Sequence, residues 1–198
     1  MSLEDLIEEY GIKQDAIKKN MLCHGENAYR TSAKELIGQK IIQRNDIFRH
    51  CAESLGLEYQ GYKKITSKKE QKRGVDFIIH TNNGDINIDL KSEILGDYTD
   101  SNGDDVLVAE IYQNDQFTNH KGKATDYVLY VIDDVHGARA YLVDYEVLSS
   151  FSVANAKHYE RQGDVYVLKN NPRYQTSNNG SGIYIKSTPT ELKGERIL

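Results

Sequence analysis

The chain is 198 residues long, 38% hydrophobic and 28% charged, with two cysteines and a net charge of −5. That length and apolar fraction suit one domain with a real core, and no apolar run nears the roughly 18–20 residues that span a bilayer. Cys23 and Cys51 form no disulfide framework, and the acidic opening MSLEDLIEEYGIKQ lacks the basic-then-apolar layout of a secretion signal, so a cytoplasmic setting is expected. In chain order, the pattern first predicts a short helix over 2–10. Ser2 opens it with Asp5 as capping-box partner, Leu3, Leu6, Ile7 and Tyr10 share a face, and Gly11 ends it. A second short helix is expected over 14–22. A longer one follows over 33–54, with Ser32 and Glu35 at capping-box spacing and Leu36, Ile37, Ile41, Ile47, Phe48, Cys51 and Leu55 as its apolar stripe, closed by Gly56.

Beyond Gly56 the period changes from helical to alternating. LEYQGYKKI reads as a first strand and VDFIIH with INIDLKS as a hairpin. DVLVAEIY, DYVLYVID and ARAYLVDY follow as strands rich in β-branched and aromatic residues, with GDYTDSNGD and DDVHG as turns. From 145 onward the pattern predicts a helix in EVLSSFSVANAKHYERQ, a strand in DVYVLK, a polar loop in NNPRYQTSNNGSG and a last strand in GIYIKS. There is no internal repeat and no linker long enough to separate domains. The expectation is a single α/β domain: an N-terminal helical extension over 1–32, a core over 33–145 with a mixed β-sheet flanked by helices, and a loop-rich C-terminal region over 146–198.

The hairpin, GVDFIIHTNNGDINIDLKSE, carries charges that packing alone does not require. Its second strand sends Ile86, Ile88 and Leu90 to one face and Asn87, Asp89 and Lys91 to the other. A two-residue turn at Asn82-Asn83 sets Asp76 opposite Asp89; a turn at Asn83-Gly84, the more favoured dipeptide, sets it opposite Lys91. In both registers Asp76 shares the face of Asp89 and Lys91. Directly opposed residues lie about 5 Å apart at Cβ. Two carboxylates that close repel each other, and a hard divalent ion such as Mg²⁺, which takes oxygen ligands and keeps several waters, turns the pairing favourable. A lysine beside such an ion would orient or help deprotonate an attacking water and stabilise charge growing on phosphorus oxygens. The segment 63–73, KKITSKKEQKR, runs directly into this hairpin. It sets Lys63, Lys64, Lys68, Lys69, Lys72 and Arg73 against Glu70 alone, a basic block able to meet a nucleic-acid backbone although the whole chain is acidic. The plain alternative is a solvated lysine-rich tip.

Asp76, a hairpin, then Asp89-Leu90-Lys91 resemble the PD-(D/E)XK pattern of nucleases with a restriction-endonuclease-like fold. The preceding helix, Gly74 just ahead of the motif and the IDLKSE ending fit as well. The resemblance spans about 33–145, and Val75 stands where the family's name has proline. It implies that Asp76 and Asp89 bind metal, with the Leu90 carbonyl as a further ligand, and that Lys91 assists the nucleophile. It also implies that an acidic residue of the preceding helix joins the site. Glu35 is the nearest match, although it reads equally as the capping partner of Ser32, and Glu26 in HGENAYR is a weaker rival. Members of the family often cut duplexes as homodimers, so a homodimer is a further expectation.

Other constellations are weaker. Glu93 projects to the same face further along and reads as a solvated strand-end residue; Glu110 would reach the site if its strand pairs beside the hairpin, and Gln113 is a candidate DNA contact. Aligning Asp100, Asn102 and Asp104 with an EF-hand puts Asp105 where glycine is needed and Ile111 where the bidentate glutamate belongs. Cys23-His24 and His50-Cys51 match no zinc-finger spacing. Fourteen tyrosines and no tryptophan imply that tyrosines largely close the faces of the sheet. The reading is a Mg²⁺-dependent DNA endonuclease, Mn²⁺ substituting. The rival is a nuclease-like fold that only binds nucleic acid or serves assembly, a reading the negative net charge favours.

Overall fold

The computed structural model describes residues 2–24, 28–67, 71, 73–94, 105–113, 116–117, 124–156, 159–162, 165–168, 174–176 and 182–198. At its head both halves of the capping box form: the Asp5 N–H donates to Ser2 Oγ at 3.1 Å and the Ser2 N–H to Asp5 Oδ2 at 2.6 Å, opening α1 (Leu3–Glu9). Gly11, with φ of +62°, turns the chain into α2 (Gln14–His24). The helix expected over 33–54 is two helices, α3 (Tyr29–Arg44) and α4 (Ile47–Ser54). Between them Asp46 adopts φ of +49°, a left-handed conformation that aspartate and asparagine tolerate better than most residues. The Asn45 side chain donates back to the Ile41 carbonyl at 3.0 Å, offering the backbone an alternative to the next helical turn. Helix α3 also starts upstream of Ser32, which lies inside it, buried, with its N–H on the Ala28 carbonyl. The expected Ser32–Glu35 capping box does not form.

The strands are β1 (Tyr59–Lys64), β2 (Phe77–Thr81), β3 (Gly84–Ile94), β4 (Leu107–Gln113), β5 (Gln116–Phe117), β6 (Tyr127–Asp134) and β7 (Gly137–Asp144). After α5 (Tyr145–Ala156) come β8 (Tyr159–Gln162), β9 (Val165–Leu168), β10 (Tyr174–Thr176), β11 (Gly182–Ser187) and β12 (Glu195–Arg196). Six of them form the central sheet in the order β1-β2-β3-β6-β7-β12; β3 and β6 are parallel and every other neighbouring pair is antiparallel. The fold is thus mixed α/β with a mostly antiparallel central sheet flanked by helices. The helix expected to run through KHYERQ ends at Ala156, and YERQ instead pairs with β9. The stretch read as a polar loop contains β10, which pairs with β11. The GDYTDSNGD turn lies at 96–104, outside the described residues, whereas DDVHG does make its turn, with the His136 N–H on Asp134 Oδ1 at 2.8 Å.

Alternation along the strands divides the core in two. Phe77, Ile79, Ile86, Ile88, Leu129 and Val131 face α1–α4 and pack on Ile37, Ile41, Ile47, Phe48 and Cys51. Val128, Tyr130 and Ile132 face the other way, onto Leu107 and Ala109 of β4 and Leu148 of α5. Full burial of such side chains contributes roughly 1.5–3 kcal/mol each, so a one-residue slip of β6 is strongly disfavoured. No helix among the described residues is long and apolar enough to cross a membrane.

Candidate active site

The hairpin takes the first of its two possible registers. Phe77 pairs with Ile88 and Thr81 with Gly84, leaving Asn82-Asn83 as the turn. Thr81 explains the choice: its Oγ1 donates to the Gly84 carbonyl at 2.7 Å and accepts the Asn83 N–H at 3.2 Å. Gly84 carries the positive φ, +116°, that neither asparagine adopts. Continuing this register one step past Phe77 brings Asp76 to Asp89.

Asp76 sits where β2 diverges from β3. Its N–H donates to the Ile88 carbonyl and its carbonyl accepts the Ile65 N–H, each at 2.8 Å. The turn before it is pinned to the entry of β6, the Thr125 hydroxyl donating to the Gly74 carbonyl and the Ala124 N–H to the Arg73 carbonyl. With its backbone so held, the Asp76 carboxylate takes the Leu90 N–H at 2.9 Å, a bond a continuing strand would otherwise supply. Leu90 therefore enters the site through its N–H as well as its place between Asp89 and Lys91.

Asp89 is buried, its side chain 8% exposed, and Lys91 Nζ stands 3.4 Å from its Oδ2. Residues two apart on a strand share a face, which is why these two meet. Burial and the neighbouring Asp89 charge push the Asp76 carboxyl up to about 6, against the lowering effects of the Leu90 N–H and Lys91; Glu35 adds to the upward push. Asp89, Lys91 and, least of the three, Glu35 thus act electrostatically on Asp76.

Glu35 comes from α3 and is held on both oxygens. Asn20 Nδ2 of α2 donates to Oε2 at 2.9 Å and Gln39 Nε2 to Oε1 at 2.8 Å. Lys64 Nζ donates to Gln39 Oε1 at 2.9 Å and lies 3.9 Å from Glu35 Oε1. Strand register explains Lys64: it pairs with Phe77, whose side chain faces the helices, so Lys64 turns toward α3 while Lys63 turns to the opposite face. Lys63 and Arg73 are exposed; Lys68, Lys69 and Lys72 fall outside the described residues, as does Glu26. The roles of Asn20 and Gln39 have no signal in the sequence, because nothing in their spacing announces a contact across helices.

Strand β4 does not pair beside the hairpin. It lies between β11 and β5 in a separate sheet, and β6 occupies the place next to β3, so the condition for Glu110 to reach the site is not met. Glu93 is half-buried on β3, opposite Ile132, rather than fully solvated. Cys51 is buried and burial raises its thiol to about 12, a packed residue rather than a thiolate ligand; the side chains of Cys23 and His24 lie outside the described residues.

Among the described residues no three His, Cys, Asp or Glu converge as a metal cage. The donor set that is present, two adjacent carboxylates with Asp76 resisting ionisation, fits an ion that takes one or two carboxylates and fills its remaining positions with water and phosphate oxygens, the habit of Mg²⁺. Glu35 stands off from that pair in its own hydrogen-bonded seat. No protein-family model, no curated protein and no solved structure matches this chain.

Proposed function

We propose that this protein is a divalent-metal-dependent endonuclease that hydrolyses phosphodiester bonds in DNA, on a core of restriction-endonuclease-like type. The observation that carries the reading is the β2–β3 register, which sets Asp76 beside Asp89 with Lys91 on the same face. Asp76 and Asp89 would hold the ion, Mg²⁺ or Mn²⁺, with the Leu90 carbonyl as a third oxygen donor. Bound there, the ion would supply Lewis acidity toward a phosphate oxygen and make water a stronger nucleophile. Lys91, held 3.4 Å from Asp89, orients the attacking water by hydrogen bonding and offsets negative charge developing at phosphorus. Burial of Asp89 keeps that exchange in a low-dielectric setting where each charge acts strongly. Lys63 and Arg73, with Lys68, Lys69 and Lys72 from the same stretch, would meet the phosphate backbone and give binding that weakens steeply with salt. Two copies acting on the two strands of a duplex would give double-strand cutting.

The test is metal-dependent cleavage of plasmid, single-stranded and branched DNA. Nicking or cutting with Mg²⁺ or Mn²⁺ is expected, falling at least about a hundredfold in Asp89→Ala and in Lys91→Ala while far-UV circular dichroism and the unfolding transition persist. DNA left intact in every form, with binding retained, would support the non-enzymatic binding module instead. Cleavage surviving in both variants would move the site elsewhere.

A further inference from the structure

The turn between α1 and α2 and the middle of α3 enclose a cavity of about 350 Å³, at the small end of the roughly 300–1,000 Å³ usual for ligand sites. Local hydrogen bonding sets one wall. The Gly11 N–H donates to the Glu8 carbonyl at 3.0 Å and the Ile12 N–H to the Ile7 carbonyl at 2.8 Å, the paired bonds of a Schellman motif with Gly11 in its left-handed position. Ile12 is thereby turned inward and buried, and Lys13 is left exposed at the rim. Helix periodicity sets the other wall: Leu36, Gln39, Lys40 and Gln43, spaced three and four apart, line it as one stripe. Gln39 is held at both ends of its amide, its Nε2 donating to Glu35 Oε1 at 2.8 Å and its Oε1 accepting from Lys64 Nζ at 2.9 Å, so this wall is fixed by the chain's own bonds.

The charge around the cavity is of one sign. Lys13 and Lys40 line it and no carboxylate does, and neither lysine has a hydrogen bond or ion pair among the described residues. Spacing on α3 explains this for Lys40: the positions three and four away hold Leu36, Ile37, Gln43 and Arg44, none of them acidic. Beside the two ammonium groups the lining is apolar, made by Ile12, Ala16 and Leu36.

We propose that this cavity binds a small amphipathic anion, with its carboxylate or phosphate monoester group at Lys13 and Lys40 and its apolar body against Ile12, Ala16 and Leu36. An ammonium is a compact point charge and accepts either headgroup, without the two-pronged geometry that arginine imposes. None of Asp76, Asp89 and Lys91 lines the cavity, so the proposal stands independently of the nuclease reading.

The experiment titrates the full chain with octanoate, octyl phosphate, octanol and octylammonium, followed by calorimetry and by the NMR shifts of the Ile12 and Leu36 methyl groups. At least one of the two anions is expected to bind and to move both sets of methyl signals; the tighter of the two identifies the headgroup. Octanol, which brings no charge to the lysines, binds at least about tenfold more weakly, and octylammonium does not bind. Lys13→Met and Lys40→Met keep an apolar stem without the charge, and each weakens the anion by about three- to tenfold. Ala16→Trp fills the apolar side from an exposed helical position and abolishes binding with the far-UV circular dichroism unchanged. Lys63→Met, on β1, has no effect. Failure of both anions to bind overturns the proposal, and so does binding that leaves the Ile12 and Leu36 methyl signals in place. Equal affinity for octanol and octanoate overturns it as well, because the lysines then read no charge. Full affinity in the combined Lys13→Met and Lys40→Met variant, or in Ala16→Trp, has the same consequence, as does a loss in Lys63→Met equal to that in Lys13→Met.

Discussion

Two of the places where described carboxylates leave water balance them in opposite ways. At the β6–β7 turn, Arg139 lies between Asp134 and Asp105. Its Nη1 and Nη2 reach the two Asp134 oxygens at 3.0 and 2.8 Å, and its Nε reaches both oxygens of Asp105 at 2.9 Å. The Tyr141 hydroxyl also donates to Asp105. Hydrogen bonding from Arg139 outweighs burial and holds the Asp134 carboxyl below its usual range. At the end of the hairpin the sum has the other sign, and burial with Asp89 leaves Asp76 reluctant to ionise. The first cluster is complete with the charges the chain supplies, whereas Asp76 keeps its proton more readily than an exposed carboxyl does.

The comparison breaks most easily at Arg139. Arg139→Ala leaves two mostly buried acids facing each other, and a loss of about 3–5 kcal/mol is expected, read as a fall in urea midpoint at unchanged slope. Cleavage per folded molecule should not change. Lys91→Ala is expected to cost less, about 1–3 kcal/mol, because the lysine is 29% exposed although Asp89 beside it is buried, while removing cleavage. Equal destabilisation by the two would mean that both clusters are structural.

A smaller effect follows from Asp76 and pH. In the folded chain its carboxyl titrates at about 6 rather than 3.8, so folding is favoured by the bound proton. That contribution is full below about pH 4 and is lost as pH rises through 6, amounting to on the order of 1–3 kcal/mol in the metal-free protein. Asp76→Asn keeps an oxygen for the Leu90 N–H and removes the titration. It should flatten this region of the stability–pH curve and exceed the unsubstituted chain in stability at pH 7. Millimolar Mg²⁺ should stabilise the unsubstituted chain at pH 7 more than at pH 5, and the variant at neither.

How much of this is legible in the sequence depends on how local each signal is. The Ser2–Asp5 box, the Gly11 and Gly56 stops and the hairpin are set by residues within a few positions of one another, and all are found where expected. The sequence leaves the hairpin register open between two choices because Asn-Gly preference points to one and the Thr81 hydroxyl, a side-chain contact, selects the other. The break at Asn45-Asp46 is hidden because the four polar residues between Ile42 and Ile47 look like the solvent side of a continuing helix. Ser32 and Glu35 have capping-box spacing, yet Ser32 is buried inside α3 and Glu35 turns to Asn20 and Gln39. Spacing specifies what one turn can do, whereas the choice among partners is made by a helix packed from elsewhere in the chain.

Sharpening the comparison requires moving one cluster without touching its charges, and the seat of α3 on β3 allows that. Gly38 lies three positions from Glu35, and Ser92 follows Lys91. A Cβ on Gly38 would meet Ser92 Oγ at 2.1 Å and Ser92 Cβ at 2.9 Å. Gly38→Ala is therefore expected to cost about 1–3 kcal/mol and to push α3 outward, shifting Glu35 while leaving Arg139 and its partners in place. Ser92→Ala is the mildest change. The Ser92 hydroxyl finds no hydrogen-bond partner among the described residues, so its removal should leave stability unchanged or raise it by up to about 1 kcal/mol. Combined, the two should recover only a fraction of the Gly38→Ala loss, since the hydroxyl contact is relieved and the 2.9 Å contact is not. Full recovery in urea denaturation would mean that the helix yields without strain at this point, and that α3 is not what fixes Glu35 relative to Asp89 and Lys91.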